Sequence, residues 1–192
     1  MTPHVVFVCV ANRVRSVFAE FYLRDRFLKR GEDIIVSSAG FVPQALKDRL
    51  AEHNISSPDP FYDRPMSELT MAALLKKGIH VPEGWRSKEL TIEMIEEADL
   101  IITALPAQKE DLSSLCQEIS HRIFTIRDMS RSDEGLFSED FSVLTFDESF
   151  WCQVEEDPEY VSRTLREWEE ILIGMIPNIS KQLKIGDEGH NN

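Results

Sequence analysis

The sequence predicts an α/β fold on a parallel sheet, and three observations carry that prediction. Val5 to Val10 is a short continuous apolar run of mostly β-branched and aromatic residues, as a strand covered on both faces requires. Ser16 to about Lys29 follows helical periodicity, with Val17, Phe18, Phe21 and Leu28 on one side and Gly31 as the stop. Ile34 to Ser37 then reads as a second strand. A strand, a helix and a strand in that order make a right-handed crossover between parallel neighbours, and the first strand is expected at the centre of the sheet.

The later elements extend the same alternation. Ser38-Ala39-Gly40 follows the second strand and by itself reads as a turn. Residues 41–65 form a long connection that reads as an insertion, with helix-like residues from Gln44 to His53 and then Ser56-Ser57-Pro58-Asp59-Pro60. Ser67 to Lys77 is helical, with Ser67 as the expected cap, Lys76 and Lys77 at the C-terminal end and Gly78 as terminator. Thr91 to Glu97 is a short helix leading into a buried strand over Ala98–Thr103, Lys109 to Ile119 is helical, and Arg122 to Ile126 is the last strand. Val161, Leu165, Trp168, Leu172, Met175, Ile179 and Leu183 mark a final helix, which Pro177 is expected to kink or end. A single domain over 1–185 follows, with insertions near 41–65 and 127–156 and a disordered tail at 186–192.

Bulk composition narrows the class of function. A chain of 192 residues is large enough to bury a core without disulfides or metals. Its 34 acidic and 21 basic side chains give a net charge of −13, which argues against nucleic acid or anionic membrane as partners. The three cysteines, at 9, 116 and 152, form neither a disulfide framework nor a Cys-x-x-Cys site, and the five histidines share no ligand spacing, so no metal or cofactor is expected. No signal-peptide pattern opens the chain and no apolar run approaches about 18 residues, so a reducing, cytoplasmic setting is expected. Oligomeric state is not legible.

The chemistry concentrates where the first strand hands over to the first helix, in Cys9-Val10-Ala11-Asn12-Arg13-Val14-Arg15-Ser16. Five residues between a cysteine and an arginine let the backbone N–H groups of the loop curl toward one point, and the positive end of the following helix adds to the same spot. The product is an anion cradle with a sulfur at its floor, and its field favours the thiolate form of Cys9. Arg15 adds a planar fork able to take two phosphate oxygens together. Asn12 suits the left-handed conformation that such a loop needs. The bland alternative for Cys9 is a buried structural thiol at a strand end.

Those residues resemble the opening motif Val-Cys-x-Gly-Asn-x-Cys-Arg-Ser-Pro-x-Ala-Glu of the low-molecular-weight protein tyrosine phosphatases and their thioredoxin-coupled arsenate reductase relatives. Val8, Cys9, Asn12, Arg15, Ser16, Ala19 and Glu20 match it, whereas Ala11, Val14 and Val17 stand where the family has Gly, Cys and Pro. The resemblance implies a three-layer fold with a four-stranded parallel twisted sheet, helices on both faces and the phosphate-binding loop after strand 1. It also implies that Ser38, in Ser-Ala-Gly, braces that loop. Residues 132–162 contain no Lys or Arg and end near Glu156-Asp157-Pro158, whose Asp157-Pro158 dipeptide starts a helix well and resembles the one the family uses for its general acid. Tyr160 resembles an aromatic residue lining the family's pocket, but Glu159 replaces a second aromatic, which weakens a preference for phosphotyrosine.

The function expected is therefore hydrolysis of a phosphate monoester, on a phosphorylated protein or a small ester, with inorganic phosphate as product. Cys9 would attack phosphorus, Arg15 and the amides of Val10 to Ser16 would hold the oxygens, and Asp157 would serve as acid and then base. Ala11 would strain the loop if that position needs positive φ. Arg13 would pair with the acidic segment or with a second anionic group on the substrate. Two rivals are carried: arsenate reductase, for which Leu105 stands where the first relay thiol belongs, and a degenerate phosphate-binding or regulatory protein with little turnover.

Overall fold

The computed structural model describes residues 1–52, 62–130 and 158–188. Four strands, β1 (His4–Cys9), β2 (Ile35–Gly40), β3 (Leu100–Thr103) and β4 (Ile123–Thr125), form one parallel sheet in the order β2-β1-β3-β4. The helices are α1 (Arg15–Lys29), α2 (Gln44–Glu52), α3 (Glu68–Lys76), α4 (Ile92–Glu97), α5 (Pro106–Leu115), α6 (Ile126–Met129) and α7 (Pro158–Glu188). None of them is long and apolar enough to cross a membrane.

Because β1 has a hydrogen-bonded neighbour on each side and helices above and below, every residue from Val5 to Cys9 is buried. Strand alternation sorts those side chains between two cores. Val5, Phe7 and Cys9 join the layer of α1, α3 and α7, while Val6 and Val8 join Ile101, Ile123, Ile95 of α4 and Leu112 of α5. A smaller third cluster of Val10, Val42 and Leu46 sits at the loop end of the sheet, where α2 closes on it with Tyr62 and Leu105 packed alongside.

Several expected boundaries move, each for a visible reason. Leu28 is 78% exposed and Phe27 takes its place in the core, because α1 turns its buried side toward both the sheet and α7. Ser38-Ala39-Gly40 is not a turn after β2 but its last three residues, paired with Phe7, Val8 and Cys9. Ser67 precedes α3 without a side-chain cap; its backbone N–H instead donates to the Arg13 carbonyl at 3.1 Å. α5 starts at Pro106 and stops at Leu115, with a 3₁₀ turn over Gln117–Arg122 filling the rest of the expected helix. β4 ends at Thr125 because Thr125 and Asp128 cap each other's backbone to start α6.

Pro177 does not end α7, whose helix runs through it to Glu188. Met175, Ile176 and Ile179 are buried on either side, and that packing offsets the hydrogen bond proline removes. Polar ties fix the same helix to the layer beneath. Tyr22 donates to Glu169 at 3.2 Å, Lys77 pairs with Glu169, Ser180 donates to Glu32 at 2.7 Å and Asn178 donates to the Met129 carbonyl at 2.7 Å.

Candidate active site

The loop leaves β1 at Cys9 and reaches α1 at Arg15, so a buried strand end and a helix N-terminus bracket it. Cys9, Val10, Ala11, Asn12 and Ser16 are buried; Arg13, Val14 and Arg15 are half-buried. No side chain caps the N-terminus of α1, whose first amides are thereby left for a ligand. Among the described residues the Arg15 side chain makes no hydrogen bond or ion pair.

Asn12 sets the shape of the loop. Its φ of 54° is left-handed, and both N–H groups of its amide and the amide oxygen are engaged by protein. Its Nδ2 donates to Ser16 Oγ at 2.9 Å and to Ser38 Oγ at 2.8 Å, and its Oδ1 accepts from the Lys88 N–H at 3.1 Å. Ala11 has no positive φ, so the glycine of the resembled motif is not required there and the expected strain is absent. Ser16 Oγ lies 3.0 Å from Cys9 Sγ and 3.3 Å from the Ala39 carbonyl, close enough to donate to the sulfur when it is ionised.

Ser38 donates at 2.6 Å to Glu20 and accepts from Asn12 Nδ2 at 2.8 Å. Arg13 anchors a different edge: its Nε donates to the Pro65 carbonyl at 2.9 Å and its own carbonyl accepts from Ser67. Asp157 lies outside the described residues, as does the side chain of Tyr160, whose backbone belongs to the first turn of α7. At Leu105 the backbone N–H donates to Gln108 Oε1 at 3.1 Å and α5 begins.

Four residues beside the loop carried no role in the sequence reading. Glu20 matched the motif without a function. Lys88 reaches Asn12 through a backbone amide, which no side-chain pattern reveals. Gly40 touches the loop so closely that an added Cβ would overlap Tyr62 Cε1 and lie 2.7 Å from the Val10 carbonyl. Tyr62 packs on Gly40 with its hydroxyl buried and without a close hydrogen bond among the described residues, and burial, then the Glu89 carboxylate and Cys9, push its pKa well above the ordinary tyrosine range against a smaller opposing pull from the Val42 backbone.

Comparison with known proteins agrees with this geometry. The family model for low molecular weight phosphotyrosine protein phosphatase matches residues 4–137. A YwlE mutant from Bacillus subtilis is similar in structure, with a TM-score of 0.63 at 22% identity over 95% of this chain and 99% of that one. A low molecular weight protein tyrosine phosphatase from T. tengcongensis gives a TM-score of 0.63 at 22% identity, over 92% of this chain and 99% of that one. A low molecular weight phosphotyrosine phosphatase from Vibrio cholerae O395 gives 0.64 at 20% identity, over 94% and 98%. No curated protein sequence matches. At these identities the solved structures establish the fold, whereas the family model spans most of the chain and includes the Cys9 loop: the chain belongs to the low molecular weight phosphotyrosine protein phosphatase family.

Proposed function

We propose that this cysteine phosphatase hydrolyses a phosphate monoester through a phosphocysteine intermediate. The substrate is a phosphorylated protein residue, phosphotyrosine-like or other, or a small phosphate ester. The observation that carries the reading is the hydroxyl of Ser16 at 3.0 Å from Cys9 Sγ, under a loop whose left-handed Asn12 is hydrogen-bonded on three sides. In the first step the sulfur attacks phosphorus in line, an S–P bond forms, the P–O ester bond breaks, and Asp157 gives its proton to the leaving oxygen. Arg15 and the amides of Val10 to Ser16 take the charge on the remaining oxygens. In the second step Asp157 removes a proton from water, the water oxygen bonds to phosphorus as the S–P bond breaks, inorganic phosphate leaves, and Ser16 donates to the returning thiolate.

Ala11 sits in the loop without positive φ, which weighs against a loop distorted out of use and so against the degenerate-module reading. The arsenate reductase reading needs two further thiols near the end of β3. Leu105 occupies the first of those places, Cys116 caps the far end of α5, and Cys152 lies outside the described residues. Assay with p-nitrophenyl phosphate tests the proposal. Wild type should turn over and Cys9→Ser should not, a loss on the order of 10⁴-fold or more. Phosphate binding without turnover in either protein would contradict it. Arsenate should give no thioredoxin oxidation.

A further inference from the structure

We propose that the rim of the site beside Asn12, built on Arg86 and Lys88 with Arg64 and Arg13 alongside, is a docking surface for the acidic flank of a phosphopeptide. The inference rests on the phosphatase reading and narrows it: the substrate it selects is a phosphorylated protein residue with Asp or Glu close by in its chain. Two segments, 63–67 and 86–88, are tied to the loop through backbone groups. The Lys88 N–H donates to Asn12 Oδ1 at 3.1 Å, and the Ser67 N–H donates to the Arg13 carbonyl at 3.1 Å. The segments also hold each other. The Asp63 N–H donates to the Ser87 carbonyl at 2.9 Å, the Ser87 N–H to the Arg64 carbonyl at 2.8 Å, and the Arg64 N–H to Ser87 Oγ at 3.1 Å. Ser87 is buried in this joint, whereas Arg64, Arg86 and Lys88 around it are exposed. Arg13 is held at the same edge by the bond from its Nε to the Pro65 carbonyl at 2.9 Å.

Charge makes this edge unlike the molecule as a whole. The chain carries −13, yet residues 13–16, 62–68 and 86–89 together hold five cations against three acids. Two of those acids have other work: Glu68 opens α3, where it complements the helix dipole, and Glu89 acts on Tyr62 at the apolar side of the loop. Asp63 is the third. Among the described residues the Arg86 and Lys88 side chains make no hydrogen bond or ion pair. Away from the loop, Lys29, Arg30, Lys77 and Lys109 are each paired, with Asp25, Glu32, Glu169 and Asp128. An acidic peptide is repelled by most of a surface so negative, so a net-positive rim decides on which side of the phosphate its flank lies.

Fluorescence anisotropy on the Cys9→Ala protein, which has no nucleophile, tests the rim without turnover. Two labelled phosphotyrosine peptides are compared that differ only in the flanking residues, glutamate in one and glutamine in the other. The glutamate peptide should bind about tenfold more tightly at about 0.1 M salt and reach near parity at about 1 M, where the screening length falls to about 3 Å. Adding Arg86→Glu should cut that preference about threefold or more, and adding Lys88→Glu as well should abolish it. p-Nitrophenyl phosphate has no flank, so Arg86→Glu with Cys9 intact should turn it over at the wild-type rate. Equal affinity for the two peptides, or a preference that neither substitution moves, overturns the proposal. Failure of the wild type to turn over p-nitrophenyl phosphate overturns the phosphatase reading instead, and the anisotropy comparison still decides the rim. Should the protein with both rim substitutions fail to fold, Arg86→Glu alone carries the test: an unmoved preference there overturns the proposal equally.

Discussion

The two flanks of the Cys9 loop are built from opposite materials. On one flank Asn12, Ser16, Ser38 and Glu20 form a continuous buried polar chain in which each described member has a partner. On the other, Val10 meets Val42, Leu46, Leu105 and Tyr62, and the buried tyrosine hydroxyl makes no close hydrogen bond among the described residues. The polar flank fixes which way protons and dipoles point at the sulfur, where a mismatch of one donor costs about 1–3 kcal/mol. The apolar flank fixes shape, with the Val10 carbonyl and the Tyr62 ring both lying close against Gly40. The contrast teaches that orientation and position are supplied separately, and substitutions should divide accordingly.

The largest effect on the polar flank is expected at Asn12. Asn12→Ala loses three hydrogen bonds and puts Ala at φ 54°, so kcat should fall about 100-fold or more and the melting temperature should drop with it. An active Asn12→Ala enzyme would show that loop shape does not depend on this side chain. On the apolar flank the comparable break is Gly40→Ala. Its new Cβ meets both the Tyr62 ring and the Val10 carbonyl, and denaturant unfolding should show a loss of about 2–3 kcal/mol. Tyr62→Ala in the same chain should recover only part of it, because the carbonyl contact remains.

Smaller effects sharpen the comparison. Tyr62→Phe removes a buried hydroxyl that makes no close hydrogen bond among the described residues, and should leave urea stability at neutral pH unchanged or raised by up to about 1 kcal/mol. Its mark should appear in alkali. The unfolded tyrosine titrates near 10.0 and the folded one higher, so above pH 10 the unfolded chain binds fewer protons and stability falls as pH rises. That fall should shrink in Tyr62→Phe, with Tyr22, also raised chiefly by burial, supplying the remainder. An undiminished fall would show that the Tyr62 proton is not coupled to folding. Ala11→Gly should change least: activity unaltered and stability lower by about 0.5–1 kcal/mol, since the backbone there needs no glycine. A clear gain in activity would reinstate strain at Ala11.

The same division marks what could be read from the sequence. The sheet was legible because β1 and β3 are built on continuous apolar runs, and the loop was legible because Cys9, Asn12, Arg15 and Ser16 are close in sequence and chemically specific. Leu28 was misplaced because periodicity alone cannot say that α1 faces both a sheet and α7, which buries Phe27 instead. Tyr62 and Gly40 were missed because their meaning is a contact between segments more than 20 residues apart, with no local pattern to signal it. Lys88 was missed because only its backbone acts. Pro177 obeyed the local rule less than the tertiary one, its helix being held by Met175, Ile176 and Ile179.

The central claim is that the Cys9 sulfur becomes covalently bonded to phosphorus. Rapid quenching during p-nitrophenyl phosphate turnover, followed by mass spectrometry of the peptide containing Cys9, measures it directly. The account predicts a phosphoryl group on Cys9 in the wild type and none in Cys9→Ala. Steady turnover with Cys9 never modified, or with the label on another residue, would contradict it.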